Sequence, residues 1–235
     1  MAERAFKRKK TGEGRRFRLQ RHFIFLTAFL LCLTACIPEG FGGPDPCDEG
    51  GVLLRDEFEG NLDCGWTLYN QGGALVEVAD GEMHISSSQT GQIWWTNPNR
   101  QFEDVVITVD ARQVGGPDDN AYGVICRYQN ESNFYLFLIS GDGFYAIAKY
   151  QSGSRVEYLS GEGQFQPSDA INQGVATNQI QVTCDADELA LAVNGIPLAT
   201  VNDPTFVVGD VGVGTSTFQP GTAAVAFDNF QVIAP

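Results

Sequence analysis

From Val105 to Val232 the chain is a succession of short runs of β-branched and aromatic residues, each cut off by Gly, Asn or Asp. VVITVDARQV, AYGVICRY, NFYLFLI, GFYAIAKY, NQIQVTC, ELALAVNG and AVAFDNFQV are the clearest. Apolar residues recurring at every second position suit a strand with one face in a core, and the period of 3.6 that a helix needs is nearly absent. Turn residues every eight to twelve positions are the pattern of a sandwich or barrel. Asn194-Gly195 is the strongest hairpin signal, because a two-residue type I′ turn needs φ > 0 at both central positions. The expectation is an all-β fold of two antiparallel sheets, one domain over residues 52–235.

The ends of the chain read differently. Nine Arg and Lys residues crowd residues 1–22, and a 13-residue apolar run, Phe23 to Ala35, follows. The run is short for a bilayer span and has the layout of an export signal. It closes on Leu33-Thr34-Ala35-Cys36, which resembles a lipoprotein lipobox and makes Cys36 the expected lipidated first residue of the mature chain. Residues 1–35 are then a signal peptide, and residues 36–51, rich in Gly, Pro and acid, a lipidated Cys with a flexible tether. The location implied is extracytoplasmic, in the cell envelope, with the membrane touched through the lipid alone.

Of 15 basic and 29 acidic residues, nine and two lie within residues 1–35. The chain from Cys36 onward therefore has 6 basic and 27 acidic residues, a net charge of −21. Such a surface repels nucleic acid and anionic lipid and favours a divalent cation. Nothing in the sequence calls for an oligomer, and a monomer is expected. Four cysteines remain beyond Cys36. Three pairings are open, with Cys47–Cys64 and Cys126–Cys184 favoured in an oxidising compartment.

Asp56-Glu57-Phe58 followed by Trp66, the run YGVICRY to NFYLFLISGDGFYAIAKY, the segment ELALAVNGIPL and the closing FDNFQV together resemble concanavalin A-like (laminin-G-like) bacterial domains. The resemblance extends to the 3-keto-disaccharide hydrolase-like domain and to laminarinase-type glycoside hydrolases. It implies a jelly-roll sandwich and a carbohydrate-facing sheet. It also implies a structural calcium between first and last strands, held by Asp56 or Glu57 and Asp228. One jelly roll hosts lectins, hydrolases and adhesion modules, so the fold does not choose among activities.

The span from Arg127 to Tyr150 holds seven aromatic residues, and strand parity divides them. With Gly141-Asp142 as a two-residue turn, one face carries Tyr122, Val124, Cys126, Tyr135, Phe137, Ile139, Phe144, Ala146 and Ala148, which is a core. The other carries Gly123, Ile125, Arg127, Phe134, Leu136, Leu138, Tyr145, Ile147 and Lys149. A three-residue turn at Gly141 to Gly143 would shift this register. Ile180, Val182 and Cys184 share the apolar side of their strand and Gln181 the polar side, so Cys126 and Cys184 both fall on core faces. Sugars stack their C–H faces on aromatic rings and offer hydroxyls to polar side chains. Arg127, Phe134, Tyr145, Lys149 and Gln181 are therefore the candidate glycan-binding residues. Trp95, neighbour of Trp94 and so on the opposite strand face, is the candidate extension of that platform.

Catalysis has little support. Retaining glycosidases place two carboxylates about 5–5.5 Å apart, and no E-x-D-x-x-E run occurs. Phosphate loops, nucleophile elbows and HExxH motifs are missing too. The function expected is a surface-anchored, non-catalytic carbohydrate-binding module with a glycan partner. A glycoside hydrolase of the same fold and an envelope scaffold or protein-contact module are the alternatives.

Overall fold

The computed structural model describes residues 45–48, 50–60, 63–153 and 156–235. The expected signal peptide, Cys36 and most of the tether lie outside the described residues. Sixteen strands occur among the described residues. In chain order they are β1 (Leu54–Asp56), β2 (Tyr69–Gln71), β3 (Ala74–Ala79), β4 (Glu82–Ser87), β5 (Ile93–Thr96), β6 (Val105–Gly115), β7 (Ala121–Asn130) and β8 (Asn133–Ser140). After these come β9 (Phe144–Gln151), β10 (Glu157–Tyr158), β11 (Gln166–Pro167), β12 (Asn178–Asp185), β13 (Glu188–Val193), β14 (Ile196–Asn202), β15 (Asp210–Ser216) and β16 (Ala223–Ile233).

They form two antiparallel sheets. The larger has the order β14-β13-β12-β6-β16-β4-β3-β2, with β1 also on β16. The smaller runs β10-β9-β8-β7-β15-β5, with β11 also on β9. This is the concanavalin A-like jelly-roll sandwich that the sequence implies. Burial alternates along β6 and β12, so the larger sheet has one face in the core and one in water. In β7 and β8 burial is nearly continuous. Tyr122, Val124, Cys126, Tyr135, Phe137 and Ile139 belong to the core between the sheets. Ile125, Phe134, Leu136 and Leu138 form a second apolar cluster, on the opposite face of the smaller sheet. The aromatic-rich span thus serves both faces.

Local chemistry fixes several joints. Val193 pairs with Ile196 around Asn194-Gly195, whose φ values of 53° and 79° are those of a type I′ turn. The Asn194 side chain accepts the Gln179 N–H and donates to the Ala170 carbonyl, which locks the turn to its surroundings. Asp56 accepts the Phe58 N–H at 2.8 Å and the Trp66 indole N–H at 3.0 Å. Trp66 in turn packs edge-on against Phe230 of β16. The opening motif is therefore a clamp between first and last strands. Cys126–Cys184 joins β7 to β12 across the core, and Cys47–Cys64 closes the N-terminal segment.

One register differs from expectation. Cys126 faces Tyr135 as the parity reading required, but Ile139 faces Tyr145, not Phe144. The turn holds three residues, Gly141 to Gly143. Gly143 takes φ +92° and donates its N–H to the Ser140 carbonyl, while Ser140 Oγ accepts the Phe144 N–H at 3.2 Å. One extra residue exchanges the faces of a whole strand. Ile147 and Lys149 consequently share the core side with Tyr145, and Phe144, Ala146, Ala148 and Tyr150 face outward, the reverse of the sequence assignment.

Candidate glycan-binding groove

A groove of about 490 Å³ lies on the outward face of the smaller sheet. Its floor is Phe134, Leu136 and Leu138, three alternate residues of β8. Trp95 and Ile93 on β5 form one wall, and Tyr150, Val156 and Tyr158 the other. Four rings cluster at one end. Trp95 lies 5.2 Å from Phe134 and 5.9 Å from Tyr128, and Phe134 lies 5.3 Å from Tyr150. These spacings fall in the range of favourable aromatic pairs. Trp95 is held from behind, since Tyr69 donates its hydroxyl to the Trp95 carbonyl at 2.8 Å. A second groove of about 420 Å³ shares Gln92, Ile93, Trp95 and Glu131 with the first and adds Gln71, Asn97 and Asn99. Trp95 stands between the two.

Glu131 is the one acid that lines either groove among the described residues, and no Lys, Arg or His lines them. Burial raises the Tyr158 hydroxyl above its ordinary pKa. Burial raises that of Tyr128 as well, and the nearby charges of Glu131 and Asp210 add to the effect. Both phenols therefore keep their protons at neutral pH and can donate hydrogen bonds. The surface offers flat rings, neutral donors and acceptors, and a single carboxylate. The lining residues do not supply the pair of carboxylates that retaining or inverting hydrolysis employs.

Of the six residues expected on this surface, Phe134 and Trp95 are there. Arg127 is not. The ladder bulges between Cys126 and Asn130, Arg127 takes φ +52°, and its guanidinium turns inward. There it donates to the carbonyls of Ala186 and Phe206 at 2.5 and 2.8 Å and meets Asp104 at 3.1 Å, with 1% of the residue exposed. Lys149 and Tyr145 are carried to the core side by the three-residue turn. Lys149 Nζ donates to Asp203 at 2.6 Å, and the Tyr145 hydroxyl to the Leu198 carbonyl at 3.0 Å. Gln181 sits on β12 of the larger sheet, exposed on that sheet's outer face, with Thr108 and Ala192 as its cross-strand neighbours.

The acids expected to hold calcium are not gathered into a donor set. Both Asp56 oxygens already accept hydrogen bonds inside the N-terminal clamp, and burial raises its pKa. Glu57 is exposed. Asp228 accepts the Asn229 N–H, and its carboxyl is raised by burial and by the negative charges of Glu82, Asp110 and Glu59. Among the described residues no three carboxylate, histidine or cysteine side chains converge to hold a metal ion.

Tyr150, Tyr158, Tyr128, Glu131 and Phe218 were not singled out from the sequence. With a three-residue turn, Tyr150 falls opposite Phe134 and on its face. The others reach the groove through loops and sheet order.

Residues 55–233 match the family described as the 3-keto-alpha-glucoside-1,2-lyase-like domain. The chain belongs to that family. No curated protein matches the sequence. Among solved structures, the chain is similar to carbohydrate-binding module CBM66 from Bacillus subtilis, with 14% identity and a TM-score of 0.58 over 72% of this chain and 96% of that one. A Bacillus subtilis protein of unknown function with a galectin-like fold gives 14% and 0.57, over 78% and 96%. A Bacteroides ovatus GH16 protein of a mixed-linkage glucan locus, in complex with a G4G4G3G product, gives 8% and 0.55, over 77% and 100%. At these identities the likeness is one of fold. This chain and these neighbours share an all-β sandwich fold.

Proposed function

We propose that this protein is a non-catalytic glycan-binding module, anchored to the extracytoplasmic face of a membrane through lipid on Cys36. The observation that carries the binding reading is the outward face of the smaller sheet. There Trp95, Tyr150 and Tyr128, all part-exposed, pack around the fully buried Phe134 ring and present an aromatic surface beside neutral hydrogen-bonding groups. A sheet face with nothing to bind would place polar residues there, as the larger sheet does at Gln179, Gln181 and Thr183. The fold neighbours named for carbohydrate binding support the same reading. Glu131, the one groove carboxylate among the described residues, supports binding without hydrolysis.

A glycan array followed by calorimetry tests this. The wild type is expected to bind a neutral glycan, and Trp95→Ala to weaken it about tenfold, equivalent to about 1.4 kcal/mol. Retention of wild-type affinity by both Trp95→Ala and Tyr150→Ala would refute the groove assignment. The family match favours a second reading, cleavage of a glycosidic bond in the same groove with Glu131 as its proton-transferring group. Product release by the wild type, abolished in Glu131→Gln while binding persists, would establish that reading instead.

A further inference from the structure

The groove is not open along its whole length. Phe165 immediately precedes β11, and Phe218 follows β15 by two residues. In the smaller sheet β11 and β15 are separated by β9, β8 and β7. At roughly 4.8 Å per strand, four spacings place their backbones about 19 Å apart in a flat sheet. The two phenyl rings nevertheless meet edge to face, with centroids 5.9 Å apart, and Phe165 makes a second such contact with Tyr158 at 5.4 Å. Tyr158, Phe165 and Phe218 therefore form an arch from one side of the groove to the other.

Strand register locates the arch. Gln166 faces Tyr145 near the start of β9, Ala121 faces Ser140 at the end of β8, and Ser216 faces Ala121. All belong to one end of the sheet, so the arch crosses the groove at the level of Leu138. Each limb is fixed. On one side Gln219 donates to Asp119 at 2.6 Å, and Gly91 donates to the Thr217 carbonyl at 2.6 Å. On the other, Gln166 donates to the Gly161 carbonyl at 2.9 Å, and Ser160 Oγ accepts the Ile147 N–H at 2.8 Å. Past Trp95 and Glu131 the groove opens sideways into the second groove, which runs along β5.

We infer that the site takes the end of a glycan chain, not an internal segment. The last unit lies against the arch between Trp95 and the part-exposed Tyr150, Val156 and Tyr158, above the buried floor of Leu136 and Leu138, and the chain leaves over Trp95 into the second groove. Among the described residues no cation lines either groove and Glu131 stands at their junction, which favours an uncharged end. This inference rests on the glycan-binding reading and adds the topology of the ligand.

The test is calorimetry of the purified protein with cello-, laminari-, malto- and xylo-oligosaccharides of three to ten units. The expected result for a series that binds is one protein per chain at every length, with Kd constant within twofold. Modifying one terminus of the oligosaccharide should abolish binding, and modifying the other should leave it unchanged. Phe165→Ala/Phe218→Ala should open the blind end, so that stoichiometry rises with chain length. Phe218 is 42% exposed and Phe165 packs on the second apolar cluster, so the wild-type stoichiometry is the deciding measurement and is independent of the variant. Stoichiometry that already rises with length in the wild type, or binding indifferent to both termini, overturns the chain-end inference and leaves glycan binding intact. Absence of binding to all four series removes both.

Discussion

Arg127 and Lys149 are two of the six basic residues that follow Cys36, and both are buried. A charge leaves water at high cost unless it is paired and hydrogen-bonded. Here Asp104 and Asp203 are the partners, so these cations hold segments of the sandwich together. Asp203 shows the balance most clearly. Burial alone would raise its carboxyl, but hydrogen bonds from Lys149, Thr205 and Tyr135 outweigh it and hold the pKa at about 2. Asp210 lies on the other side. Burial raises it to about 6, against the amide hydrogen bonds of Val211, Arg100 and Asn99. The two act oppositely on stability. Asp203, depressed in the folded state, contributes about 2 kcal/mol that is present above pH ~4 and lost as pH falls towards 2. Asp210, elevated, favours the folded state increasingly as pH falls from about 6 to about 4. Carboxyl carbon NMR should give native midpoints near these values. Urea midpoints should show Asp203→Asn flattening the acid limb below pH ~4. A wild-type limb retained in that variant would assign acid unfolding to other groups.

Two hairpins show how far element-level reading reached. Asn194-Gly195 was legible because few sequences satisfy two consecutive positive φ values. Gly141-Asp142-Gly143 was not, because the same three residues build a two-residue or a three-residue turn. That choice alone decides whether Phe144 or Tyr145 faces the core. The bulge at Arg127 was hidden for a related reason. Positive φ at a long side chain follows from tertiary contacts, here with Gly209, where an added Cβ would lie 2.4 Å from the Arg127 carbonyl carbon. The pairing of Cys126 with Cys184 was readable, since β7 and β12 alternate regularly up to that point. That bridge closes a separation of 58 residues between the two sheets. Loop-closure entropy assigns it about 4 kcal/mol. Cys126→Ala/Cys184→Ala is expected to lose about that amount in urea denaturation, with glycan affinity retained because the groove lies on the other face of β7 and β8. A loss of less than about 1 kcal/mol would show that the sheets need no covalent tie.

At the scale of the molecule, the groove gathers Trp95, Phe134, Tyr150, Tyr158 and Phe218 from five separate segments. No local pattern announces such a set. Its members meet because the sheet order β10-β9-β8-β7-β15-β5 puts their strands side by side, and that order follows from how the whole chain crosses between sheets. Charge at the same scale bears on attachment. The chain from Cys36 onward has a net charge of −21, so anionic headgroups within about a Debye length repel it. Among the described residues no helix is long and apolar enough to cross a membrane. The proposed anchorage therefore depends on acyl chains at Cys36, each buried methylene contributing about 0.8 kcal/mol. When the full-length chain is produced in a bacterium, it should partition into the detergent phase of a cloud-point extraction at low and high salt alike. Cys36→Ser should move it to the aqueous phase with the groove's affinity unchanged. Detergent partitioning that survives the substitution would mean that another part of the chain holds the membrane.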